Sequence, residues 1–111
     1  MPDPAPTRFP CPWLGRDVEL TRERELHIEA RHPDLLPRHR LQLAEVLADP
    51  DVVRCGARAR SILLVSRRYG DLPRGRHVVV MVDDDLAAGA WIVTAYVARR
   101  RGDAEVVWRR S

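Results

Sequence analysis

The chain has 111 residues, of which 45% are hydrophobic, and a formal net charge of +3. This length suits one domain with a single core and is too short for two cores. No apolar run is long enough to cross a bilayer as a helix, so no membrane partner is expected. Every cation is arginine, which excludes lysine-based Schiff-base and P-loop chemistry.

The first 15 residues are rich in proline and predict a flexible arm in front of a single domain at residues 16–111. They lack the apolar region of a secretory signal. Cys11 and Cys55 show no metal-binding spacing and are expected to be reduced thiols. The expected location is therefore the cytoplasm.

Two helices are predicted next. Thr21 is a suitable N-cap for a helix over residues 22–32, which Pro33 ends because it disfavours helical geometry in the residue before it. A second helix is predicted over residues 38–48, with an apolar stripe along one side.

From residue 51 onwards the apolar pattern alternates and predicts strands. Short turns between them favour antiparallel pairing. The predicted strands cover residues 51–55, 60–69, 77–83, 90–99 and 104–108. The predicted fold class is α+β, with two N-terminal helices packed on a four- to five-stranded antiparallel sheet.

The positive charge is concentrated in two segments. Residues 1–53 hold seven arginines and ten acidic residues, whereas residues 54–76 hold seven arginines and one aspartate. Residues 77–98 are acidic again, and residues 99–111 are basic. Such segregation favours a surface that binds a polyanion.

Several short motifs occur in a familiar order: Glu19-Leu20-Thr21, His27-Ile28, Arg31-His32-Pro33, Leu47-Ala48-Asp49-Pro50-Asp51 with Val53, and Ile92-Val93-Thr94-Ala95-Tyr96. Together they resemble the phage-type branch of the barnase–EndoU–colicin–RelE-like (BECR) nucleases, over roughly residues 18–108. The resemblance implies a metal-independent ribonuclease without a cofactor. Small bacterial proteins of this group serve as toxins or RNA-processing modules.

Cleavage of RNA without a metal needs a base for the 2′-hydroxyl proton, an acid for the leaving oxygen and a cation at the phosphate. His27 is the predicted acid or base, and Arg31, four residues later on the same helix face, is the predicted phosphate clamp. Alternatively, His27 hydrogen-bonds a loop carbonyl and Arg31 pairs with an acidic neighbour at the surface. His32 lies about 140° around the helix from His27 and is either a substrate-binding residue or a buried cap.

The strand at residues 90–99 supplies two further catalytic candidates. Strand alternation places Thr94 and Tyr96 on one face, offering hydroxyls to a phosphate and an aromatic ring to a base. The apolar set on the other face is expected to join the core and comprises Trp91, Val93, Ala95 and Val97. The alternative is structural, because threonine and tyrosine are favoured in strands anyway.

Arginines at strand ends are the predicted substrate-binding cations: Arg67, Arg68, Arg99 and Arg100. Neighbours in a strand point to opposite faces, so only one of Arg67 and Arg68 can line a given groove. Alternatively, the run is a solvated rim. No metal site is predicted, since the three aspartates at residues 83–85 read as an acidic turn and the histidines lack zinc-binding spacing.

The leading hypothesis is a cytoplasmic endoribonuclease that cleaves single-stranded RNA by general acid–base catalysis. The alternative is a non-catalytic RNA- or protein-binding module of a toxin–antitoxin or phage-related system, with a cognate antitoxin or inhibitor as partner. A homodimer that seals a sheet edge is a third outcome.

Overall fold

A computed structural model describes residues 5–56, 59–70, 76–100 and 102–110. Within these ranges, two helices and seven strands follow one another as β1 (Thr7–Cys11), β2 (Arg16–Leu20), α1 (Arg22–Arg31), α2 (Arg40–Ala48), β3 (Val52–Cys55), β4 (Ile62–Tyr69), β5 (Arg76–Asp85), β6 (Gly89–Ala98) and β7 (Val106–Arg109). No helix in these ranges is long and apolar enough to cross a membrane.

All seven strands join one mixed sheet in the order β1-β2-β6-β5-β4-β3-β7. Strands β2 and β6 run parallel, and the other neighbours are antiparallel. The predicted fold class is therefore wrong: 47% of the described residues are strand, and the sheet is larger than four or five strands and not purely antiparallel. The helices are also not N-terminal, because two strands precede them.

The extra strands at the start form a hairpin. Residues 7–11, predicted to belong to a flexible arm, pair along their whole length with β2. Phe9 and Cys11 are buried in the core, and burial of such side chains offsets the entropy lost on ordering the chain. Gly15 closes the turn with a φ of 73°, a left-handed conformation that glycine adopts without strain.

Strand β7 lies at the opposite edge of the sheet from the hairpin. It pairs with β3 and not with β6, the strand before it in the chain. The connection between β6 and β7 must therefore pass across β5, β4 and β3. Arg54 Nη1 donates a hydrogen bond of 3.0 Å to the carbonyl oxygen of Gly102, which places this connection over the sheet face that carries Arg54. We call the described part of this connection, residues 99–100 and 102–105, the strap.

The helices cover the other face of the sheet. Ile28 of α1 and Leu43 and Leu47 of α2 are fully buried against strand residues that share this face, among them Val65, Val78, Val80, Val82 and Ile92. Thr21 caps α1 by accepting a hydrogen bond of 3.2 Å from the backbone N–H of Arg24. Because the core lies on the helix side, the residues that alternate with it point to the face without helices.

Candidate nucleic-acid interface

The pairing register of the strands determines which residues lie together on the sheet face that the helices do not cover. In β5 the fully buried valines, Val78, Val80 and Val82, point to the helices, so His77 and Val79 point the other way. One row across the sheet is Arg109–Val52–Ser66–Val79–Tyr96, and the next row is Arg68–His77–Ala98. Residues far apart in the chain therefore meet on one surface.

A cavity of about 500 Å³ lies on this face, beneath part of the strap. Its polar lining is mainly cationic and comprises Arg54, Arg68, Arg100, Arg109 and Arg110, with His77, Ser66, Tyr96 and Asp51. The apolar lining comprises Val52, Leu64, Val79 and Ala98. We call this cavity the arginine groove. Its volume falls in the range of pockets that hold a small molecule or a nucleotide.

The positive charge of the arginine groove is only partly balanced. Arg110 Nη2 lies 2.6 Å from Asp49 Oδ1, and Arg110 Nε lies 3.6 Å from Asp51 Oδ1. Asp51 Oδ2 also accepts a hydrogen bond of 2.8 Å from the backbone N–H of Arg68. In the described ranges no carboxylate forms an ion pair with the other groove arginines Arg54, Arg100 and Arg109. The groove therefore presents a surplus of guanidinium groups, which suit phosphate and carboxylate oxygens.

Tyr96 brings an aromatic ring to the groove. Burial raises the pKa of its hydroxyl above the ordinary value, so the group keeps its proton at neutral pH and can donate a hydrogen bond. The His32 ring, at the end of α1, lies 5.9 Å from the Tyr96 ring between centroids, with 40° between the planes. An aromatic pair therefore stands where α1 approaches the groove.

The structure distributes the predicted catalytic residues over two elements. His27 and Arg31 belong to α1, where His27 is half-buried and Arg31 exposed. Thr94 and Tyr96 share the face without helices, since their partners are Met81 and Val79 in β5. Among the described residues, no hydrogen bond, ion pair or ring contact joins His27 to Thr94 or Tyr96.

The predicted substrate-binding arginines also separate. Arg68 and Arg100 line the groove, and Arg99 is exposed but not part of the lining. Arg67 points to the helix side, where it lies 3.3 Å from Asp49 Oδ2 and its guanidinium carbon lies 5.6 Å from the Tyr69 ring centre. As alternation predicts, only one of the two neighbours, Arg68, lines the groove.

Sequence reasoning missed several groove residues: Arg54, Ser66, His77, Arg109 and Arg110. Arg54 had a usable signal, because a lone cation within the apolar run of β3 must either find a partner or serve a site. His77 opens β5 next to a valine run, and the same alternation that sorted β6 would have put it opposite the core. No group of three or more His, Cys, Asp or Glu residues that could hold a metal occurs in the described ranges.

No protein-family model, curated protein or solved structure matches this chain significantly. The resemblance to BECR nucleases therefore stays a prediction, and the functional case depends on the groove itself.

Proposed function

We propose that the protein is a metal-independent endoribonuclease that binds single-stranded RNA in the arginine groove. The observation that carries the proposal is the lining itself, whose described residues include five arginines and a histidine but one carboxylate, Asp51. RNA supplies what such a surface favours, namely phosphates for the guanidinium groups and unpaired bases for the aromatic ring and apolar floor. The proposal includes a cytoplasmic location, with which the two free buried cysteines agree.

The proposed reaction is attack of a ribose 2′-hydroxyl on the adjacent phosphorus, with loss of the 5′-oxygen and formation of a 2′,3′-cyclic phosphate. His77 is our candidate for the group that moves a proton, since it lines the groove and imidazole titrates near neutrality. Arg68 is its register partner in β4, and directly opposed strand residues have Cβ atoms about 5 Å apart. A guanidinium there can stabilise charge on the phosphate as the new bond forms. Tyr96, in the next row, can donate a hydrogen bond or stack on a base.

His27 and Arg31, the acid–base residue and clamp predicted from the sequence, stay within the proposal as a competing assignment. They lie on α1 and do not line the groove. We prefer His77 for that reason.

The alternative is a non-catalytic module that binds RNA, or an antitoxin or inhibitor protein, through the same groove. One observation favours it. His77 is the only histidine among the described lining residues, and the other titratable groups there are less suited to move a proton. The Asp51 carboxylate contacts Arg110 and the Arg68 backbone N–H, and Tyr96 has a raised pKa and is a poor base at neutral pH. A single proton-transfer group makes cleavage harder to achieve than binding.

Incubation of the purified protein with single-stranded RNA in EDTA tests the proposal. Wild type should yield 2′,3′-cyclic phosphate ends, and His77→Ala should slow cleavage by about 10²–10⁴-fold while RNA binding survives. His27→Ala is the matched control and should cleave RNA at the wild-type rate. A large loss of cleavage rate in His27→Ala and not in His77→Ala would assign the catalytic residue to α1. Tight binding without any product from wild type would support the non-catalytic module.

A further inference from the structure

Arg54 stands apart from the other groove arginines because it is buried, with a relative exposure of 8%. It lies in β3 between Val53 and Cys55, which are both buried, and its partners across the sheet are Leu64 and Val106. A full positive charge is thus embedded among apolar side chains near the floor of the groove.

The charge of Arg54 has no counter-ion in the part of the chain that the structure describes. Its hydrogen bond there is the one that Nη1 donates to the Gly102 carbonyl in the strap. Among the described residues, the buried side-chain atom without a hydrogen-bond partner is Asp84 Oδ1. Each nitrogen of Arg54 therefore has either a hydrogen-bond partner or some solvent exposure. The remaining N–H groups of Arg54 therefore keep some exposure, and Arg54 is one of the residues that line the groove.

A structural role alone does not account for this arrangement. A neutral donor could satisfy the Gly102 carbonyl without the cost of partly desolvating a charge that has no counter-ion. An oxyanion in the groove would remove that cost, because a guanidinium pairs with phosphate through two parallel N–H···O bonds. Arg109, on the neighbouring strand, lines the same groove and adds a second cation.

We propose that Arg54 is a phosphate-binding residue of the arginine groove, at a position that stays electrostatically incomplete until an oxyanion enters. This deepens the proposed function, on which it rests for the source of the phosphate, the RNA backbone. The apolar lining residues Leu64, which is the partner of Arg54 across the sheet, and Val79 would receive the base of the same nucleotide. The groove would then hold an unpaired nucleotide.

If Arg54 binds phosphate, its substitution should have effects that the loss of a purely structural arginine would not have. Arg54→Met keeps the length of the side chain and removes the charge, so the unliganded variant should unfold at the same temperature as wild type or a higher one. It should also lose ligand binding. Removing one phosphate contact should lower affinity for a single-stranded oligonucleotide by tenfold or more and reduce the slope of log affinity against log salt by about 0.7.

Thermal unfolding with added ligand is the test, with sodium chloride at matched ionic strength as the reference. The probes are inorganic phosphate, a nucleoside 5′-monophosphate and an RNA oligonucleotide with hydroxyl ends, which offers only phosphodiesters. Wild type should be stabilised by the oligonucleotide, and Arg54→Met should not. Arg8→Met is the matched control because it removes one exposed arginine that pairs with Glu19, far from the groove; it should respond as wild type does.

Each outcome of these measurements supports or overturns the phosphate site at Arg54. A strongly destabilised Arg54→Met that still responds to the probes would make Arg54 structural and overturn the proposal. If that variant does not fold, Arg54→Lys keeps the charge without the fork and should bind the oligonucleotide more weakly; unchanged binding would overturn the proposal. A further outcome is that phosphate or the monophosphate stabilises wild type and not Arg54→Met, while wild type cleaves no RNA. That result would contradict the proposed ribonuclease activity and support the phosphate site at Arg54. No response of wild type to any probe would remove the site.

Discussion

The rings of His32 and Tyr96 lie 5.9 Å apart although one residue ends helix α1 and the other belongs to strand β6. Strand β2 pairs with β6 only at Ala90 and Trp91, so the later part of β6 is left to α1. Arg24 of α1 donates a hydrogen bond of 3.3 Å to the Val93 carbonyl there. Helix α1 thus lies along the part of β6 that does not pair with β2, and it brings the imidazole of His32 beside the groove.

Tyr96 should bind a base by stacking. We expect Tyr96→Ala to weaken binding of single-stranded RNA by about 1–3 kcal/mol, since that is the usual cost of losing one base–aromatic contact. Tyr96→Phe keeps the ring and should bind nearly as tightly as wild type. Fluorescence anisotropy with a labelled oligonucleotide measures both, and equal losses in the two variants would assign the role to the hydroxyl instead.

Glu25 should hold the two helices and the hairpin together. It is buried, lies 3.0 Å from Arg40 Nε and 3.3 Å from Arg22 Nη1, and Arg40 in turn donates to the Thr7 hydroxyl at 2.8 Å. Glu25→Ala leaves these donors without their acceptor and should lower the free energy of unfolding by about 1–3 kcal/mol. Urea unfolding checks this. RNA affinity below the transition should not change, because the network lies away from the groove; a large change would contradict the separation of the two faces.

Tyr69 should make the fold sensitive to alkali. Burial and the hydrogen bond of 2.7 Å that its hydroxyl donates to Glu45 raise its pKa in the folded protein. The unfolded chain therefore loses this proton first, near the ordinary tyrosine pKa of about 10. Stability from this group is complete below that pH and is lost as pH rises from it towards the folded-state pKa.

The measurement is the free energy of unfolding between neutral and strongly alkaline pH. Wild type should fall more steeply above about pH 10 than Tyr69→Phe does. At neutral pH the variant should be less stable by about 0.5–1.5 kcal/mol, the usual net value of one hydrogen bond. Parallel curves for the two proteins would show that Tyr69 titrates normally.

Local signals in the sequence located most of the elements but not their arrangement. The cap at Thr21 and the block at Pro33 set the first helix to within a residue of α1, Arg22–Arg31. The partner of β7 depends on a long connection across the sheet, which local sequence does not encode. The proline-rich start concealed β1, because its pairing with β2 and the burial of Phe9 are tertiary effects.

Strand alternation sorted the groove correctly only where the strands are regular. Arg68 and Tyr96 point to the face without helices, as strict alternation requires. In β6 the register shifts between the pairs Met81–Thr94 and Val82–Ile92, so Ile92 joins the core, while Trp91 and Val93, which the pattern had assigned to the core, are only half-buried. An extra residue of this kind reverses the direction of every side chain on one side of it.

The central claim is that the arginine groove binds the RNA backbone, and Arg67 and Arg68 give the most direct test of it. They are neighbours with the same charge on opposite faces, and only Arg68 lines the groove. Its backbone bond to Asp51 survives substitution. Affinity for single-stranded RNA, measured at several salt concentrations, should fall about tenfold in Arg68→Gln. The salt slope should become shallower by about 0.7 in that variant, while Arg67→Gln should match wild type. Equal effects of the two substitutions, or a larger effect of Arg67→Gln, would contradict the claim.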